Sequence, residues 1–153
     1  MPLDSLDSQL KRMPTEVLAI YCGDYRFQSA LQEFLNGALD LDGNYDLMVI
    51  PGGPLSLTLA DYLPEFSAAT WKWLRFFAEL HKIRRLILIQ HQDCAFYKSI
   101  EAHLHSSSEP RQRQEQDLRR VRDALNKDLP QIIVELYYFS FDSSDRITVN
   151  SIL

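Results

Sequence analysis

The amino-acid sequence predicts an α/β fold: a mostly parallel central sheet flanked by helices, with an antiparallel C-terminal edge strand. Three observations predict it. Short apolar runs bounded by turn residues recur at 16–21, 45–50, 84–90, 132–139 and 146–152, with the length and composition of strands. Segments with helical spacing of apolar residues separate the first four runs, the alternation that builds parallel strands through crossovers. The last two runs are joined only by Asp142-Ser143-Ser144-Asp145, a connection that suits a hairpin and makes the final strand antiparallel.

Each element follows from its residues. EVLAIY (16–21) is a buried strand that empties into the polar loop Cys22-Gly23-Asp24. In FQSALQEFLNGAL, Phe27, Leu31, Phe34, Leu35 and Ala38 share one face of an amphipathic helix. YDLMVI (45–50) is stopped by the breaker Pro51-Gly52-Gly53-Pro54. Residues 60–82 are mostly helical, broken near Pro64, and Trp71, Trp73, Leu74, Phe76, Phe77 and Leu80 spread over a wide apolar arc. Such an arc fits core alone, or core on one side and a subunit contact on the other. RRLILIQ (84–90) is the clearest strand, apolar enough for burial on both faces, and it delivers His91. Helices are expected at about 93–104 and about 112–126, the second ended by Pro130, before the closing strands 132–139 and 146–152.

A length of 153 residues, 46% of them hydrophobic, suits a single domain spanning 1–153 with one core. No apolar stretch approaches the roughly 20 residues of a membrane helix, and the first residues lack the apolar core of a signal peptide, so a cytoplasmic location is expected. The net charge of −5 argues against a nucleic-acid or anionic-membrane partner. The basic residues of 111–122 are interleaved with acidic ones, the pattern of a solvated helix face.

The chemistry converges on strand ends. Cys22 follows the first strand, and His91 and Cys94 follow the third. If those strands are neighbours, the three residues meet in the crevice at their carboxyl ends. Thiolate and imidazole are favoured zinc donors, and three protein ligands leave a fourth position for water or substrate. The residues also permit a redox pair between Cys22 and Cys94, and both readings stay open at this level. Asp24, two residues past Cys22, is placed to accept a hydrogen bond from metal-bound water or to occupy the fourth site itself. Arg26 is placed to grip Asp24 with its planar fork and keep it ionised.

Cys22-Gly23-Asp24-Tyr25-Arg26 resembles the Cys-x-Asp-x-Arg motif of β-class carbonic anhydrases, and His91-Gln92-Asp93-Cys94 resembles their His-x-x-Cys motif. The order of elements is similar along nearly the whole chain. The resemblance implies Zn2+ held by Cys22, His91 and Cys94, an Asp24–Arg26 catalytic dyad, reversible hydration of CO2 to bicarbonate by zinc-bound hydroxide, and a homodimer with the cleft at its interface. The chain departs from the pattern in a longer stretch between the motifs, a short N-terminal arm and three local replacements. Ile50-Pro51-Gly52-Gly53-Pro54 replaces an Arg-Asn-Ala-Gly type segment, Gln90 replaces the glycine before the histidine, and Ala95 replaces the glycine after the second cysteine. A non-catalytic or regulatory zinc dimer, and a zinc hydrolase of another small CO2-like substrate, are the alternatives. His81, His103 and His105 are candidate proton shuttles by side-chain type alone, and surface histidines are the plainer reading of all three.

Overall fold

The computed structural model describes residues 6–103 and 109–153. Five strands form one sheet in the order β2-β1-β3-β4-β5, with β1 Val17–Cys22, β2 Asp46–Ile50, β3 Arg85–His91, β4 Ile133–Phe141 and β5 Ile147–Ile152. β1 pairs in parallel with both β2 and β3, β3 pairs in parallel with β4, and β4 pairs with β5 antiparallel. The expected α/β class and its antiparallel edge strand are therefore present.

The helices divide between the faces for a reason of handedness. The chain steps from β1 to β2 in one direction, then crosses back over β1 to β3 and continues to β4. Right-handed crossovers in opposite directions must lie on opposite faces. α1 (Gln28–Glu33) accordingly covers one face, where Phe27, Leu31 and Leu35 pack on Ala19, Tyr21, Ile87, Ile89 and Phe139. α2 (Pro64–Leu80) and α4 (Pro110–Asp128) cover the other, where Leu74, Leu118, Val121 and Leu125 pack on Leu18, Ile20, Leu86, Leu88 and Leu136. The reversal of direction at β1 and β3 opens a crevice at their carboxyl ends. No helix among the described residues is long and apolar enough to cross a membrane.

Three helical expectations are corrected. The segment 27–39 is not one regular helix: a 3-10 turn (Tyr25–Phe27) leads into α1, which widens into a π turn (Phe34–Ala38) closed by the Leu39 amide on the Phe34 carbonyl at 2.9 Å. Phe34 and Leu35 both pack on the sheet through this widening. The segment 60–82 becomes helical only at Pro64, because proline suits a first turn and not a helix interior. The helix expected over 93–104 is α3 (Ala95–Ile100) with a 3-10 turn Glu101–His103, and its last expected residue lies outside the described residues, as does His105. The apolar arc of α2 divides: Leu74 is buried and Trp71 and Phe77 pack against the core, while Trp73, Phe76 and Leu80 are 55%, 50% and 54% exposed.

Candidate metal centre

Cys22, His91 and Cys94 come together at the crevice between β1 and β3. All three are buried, and their donor atoms lie within 4.8 Å of one another. They converge because β1 and β3 are parallel neighbours that end on Cys22 and His91, although the two side chains leave the sheet on different faces. Cys22 has the parity of Leu18 and Ile20 and leans toward the α2/α4 face, whereas His91 has the parity of Ile87 and Ile89 and leans toward α1. The Phe27 ring lies 4.5 Å from the imidazole and fixes its plane. After His91 the chain turns sharply, with Asp93 at φ 61°, and Cys94 starts α3 as its N-terminal cap residue.

The donor set fits a tetrahedral metal. The two sulfurs are 3.9 Å apart, close to the about 3.8 Å that two thiolates at about 2.3 Å from zinc would show, and well beyond the about 2.0 Å of a disulfide. His91 Nδ1 lies 2.8 Å from the Gln92 carbonyl, which accepts its proton and so leaves the lone pair on Nε2. That buried Nε2 has no hydrogen-bond partner among the described residues. An orphaned, lone-pair-bearing nitrogen beside two thiols is a costly arrangement unless a cation accepts it. The Cys94 contact draws the Cys22 thiol down against its burial, while that contact and burial push Cys94 up.

Asp24 and Arg26 stand at the rim. Arg26 Nε and Nη2 donate to both Asp24 carboxylate oxygens, at 3.0 Å to Oδ1 and at 3.2 and 2.7 Å to Oδ2. Those hydrogen bonds hold the Asp24 carboxyl below its ordinary range despite some burial. Asp24 Oδ2 lies 4.0 Å from His91 Nε2, so the carboxylate faces the three donors. Arg26 also reaches across the crevice: Nη1 donates to Asp93 Oδ2 at 2.9 Å and Nη2 to the Asp93 carbonyl at 2.9 Å. Asp93 additionally pairs with Lys98, and the two cations hold its carboxyl at about 2. One guanidinium thus ties the loop after β1 to the loop after β3.

A cleft of about 680 Å³ opens onto this rim, lined by Cys22, Asp24, Arg26, Pro51, Phe96 and Lys98 among others. The Pro51–Pro54 turn, which meets the cleft at Pro51, demands glycine twice. Gly52 (φ 76°) has Phe96 where a Cβ would stand, 2.4 Å from Cδ1. Gly53 (φ 54°) crosses so close over β1 that a Cβ would sit 3.0 Å from the Cys22 amide nitrogen and 3.2 Å from the Ile89 carbonyl.

Of the histidines weighed as proton shuttles, His81 is at the wrong end of the sheet, 2.5 Å from Asp46 at the start of β2. His103 stacks on Tyr62, with ring centroids 4.4 Å apart. Sequence reasoning missed Asp93 and Lys98, which are ordinary loop and helix residues until Arg26 is seen to bridge the crevice. It noted Gln90 only as a departure from the resembled pattern and did not single out Gln114, Tyr97 or Asp117, which α4 brings behind the site.

No family model matches the chain. An uncharacterized protein of Rickettsia bellii (strain RML369-C) is 23% identical over 127 residues, covering 82% of this chain and 76% of that protein. Among solved structures, a chain from the tetrameric β-carbonic anhydrases of the filamentous ascomycete Sordaria macrospora is similar with a TM-score of 0.47 and 13% identity, over 89% of this chain and 80% of that one.

Proposed function

We propose that this chain is a single zinc-binding domain that holds one Zn2+ through Cys22, His91 and Cys94 and catalyses reversible hydration of CO2 to bicarbonate, with Asp24 and Arg26 as its catalytic dyad. The observation that carries the reading is the buried, unpartnered His91 Nε2 beside two unbridged thiols, with the Arg26-held Asp24 carboxylate 4.0 Å away. Bound zinc supplies the Lewis acidity that brings the ionisation of water toward neutral pH, and two thiolate ligands weaken that pull, so activity rises toward alkaline pH.

The chain's own groups do the rest. Asp24, kept ionised by Arg26, accepts a hydrogen bond from the attacking water and aims its oxygen at the carbon of CO2. Arg26 occupies both Asp24 oxygens, which keeps the carboxylate from closing the site. CO2 and water give bicarbonate and a proton, and the cleft lets all of them exchange with solvent. The reading includes a homodimer, supported by the exposed Trp73, Phe76 and Leu80 stripe on α2.

The test is CO2 hydration by zinc-loaded protein from about pH 7 to about pH 9. Activity that rises with pH and disappears in Arg26→Ala is expected. A fully loaded protein with no activity at any pH leaves the second reading, a non-catalytic zinc protein. One feature favours that alternative: Pro51-Gly52-Gly53-Pro54, with Phe96 seated on Gly52, stands in place of the Arg-Asn-Ala-Gly type segment of the resembled pattern.

A further inference from the structure

Behind the three donors lies a buried polar chain that the proposed chemistry does not use. Gln90 and Gln114 are 1% and 2% exposed. Gln90 has the parity of Leu86 and Leu88, so its side chain enters the layer between the sheet and α4, where a leucine would be ordinary. Its Nε2 donates to the Gly52 carbonyl at 2.9 Å. Gln114, on α4, donates from Nε2 to the His91 carbonyl at 3.0 Å and to Gln90 Oε1 at 3.4 Å. The His91 carbonyl, which can only accept, sets which way that amide points, and the buried Tyr138 hydroxyl donates to its Oε1 at 3.0 Å and holds it there. One turn along α4, Asp117 accepts from the Tyr97 hydroxyl at 3.0 Å, and Tyr97 belongs to α3, the helix that Cys94 begins.

These contacts end on the backbone that carries the donors. The His91 carbonyl is where β3 stops and the turn to Cys94 begins. The Gly52-Gly53 turn rides directly on the Cys22 backbone, since a Cβ on Gly53 would stand 3.0 Å from the Cys22 nitrogen. We infer that Gln114, acting with Gln90 and held by Tyr138, is a positioning residue for the metal site: it fixes the peptide planes beside His91 and Cys22 and so sets the geometry of the donor triad. The inference rests on the metal-binding reading above. Two adjoining buried amides satisfied by each other, by one tyrosine and by two site carbonyls are a poor filling for a core unless their direction matters.

The test compares the full chain with Gln114→Met, which keeps the volume of the side chain and loses its donors, and with Tyr138→Phe, which removes only the hydroxyl. Zinc affinity is read by chelator competition, the cobalt(II)-substituted protein by its visible absorption, and the metal-free proteins by thermal unfolding. Gln114→Met is expected to weaken zinc binding by about 10-fold or more and to shift the cobalt spectrum, with Tyr138→Phe moving both the same way by less. Equal zinc affinity and an unchanged cobalt spectrum in both variants, whatever happens to thermal stability, would overturn the inference and leave metal binding intact. If Gln114→Met does not fold, Tyr138→Phe decides between the same two outcomes. An unaltered chain that takes up neither metal overturns both this inference and the metal-binding reading.

Discussion

At the residue scale, Arg26 reaches the loops beside Cys22 and Cys94 without touching a donor atom, which on the proposed reading separates binding from catalysis. Arg26 touches Asp24 and Asp93 and none of the three donors. Arg26→Ala should therefore leave zinc content unchanged in elemental analysis and abolish hydration, because Asp24 loses its orientation. Loss of the metal, or full retained activity, would show that the dyad is misassigned. Cys94→Ser should have the opposite profile and lose most of the bound metal, since a hydroxyl is a poor zinc donor. Far from the site, Arg85 grips Glu135 across β3 and β4 at 2.6 and 3.0 Å, and Tyr137 donates to the same carboxylate at 2.7 Å. Burial opposes ionisation of Glu135, yet these hydrogen bonds hold it below its ordinary 4.5. A depressed carboxyl stabilises the fold above its unfolded value and loses that contribution as pH falls through its folded one. Glu135→Gln should thus cost about 1 kcal/mol at neutral pH and flatten the acid limb of a urea-denaturation series between about pH 6 and about pH 3.

At the scale of elements, the strands and the donors were legible because their signals are local. Apolar runs and turn residues mark β1 and β3, and Cys22, His91 and Cys94 sit directly at the ends of those runs. Gln114 was not legible. It lies in PRQRQEQDLRRVRDALNKD, whose interleaved charges read as a solvated face, and only the packing of α4 on Gln90 and Tyr138 turns it inward. The π turn after α1 was equally hidden, since the spacing of Leu31, Phe34, Leu35 and Ala38 is that of a regular helix. The breaker Pro51–Pro54 was seen as a strand stop, but its tight crossing over β1 was not. That crossing gives a test: Gly53→Ala combines a positive φ with contacts of 3.0 to 3.2 Å to backbone. It should destabilise the fold by about 2 kcal/mol or more in denaturant titration. A change near zero would mean that the turn moves freely over Cys22.

At the scale of the molecule, the same reversal of chain direction that puts α1 on one face and α2 and α4 on the other creates the crevice where the donors meet. It also leaves the outer side of α2 facing solvent with Trp73 and Phe76 edge to face, 6.3 Å between ring centroids. The proposed dimer uses this stripe, so Phe76→Glu should shift sedimentation at micromolar concentration from dimer toward monomer. A monomeric unaltered chain would rule out the dimer and leave the metal site untouched. Metal binding by Cys22, His91 and Cys94, on which everything else depends, is decided by elemental analysis with thiol counting of protein purified without added metal. One zinc per chain is expected, with two thiols that become titratable on denaturation with chelator; a metal-free protein with a Cys22–Cys94 disulfide would contradict the metal site.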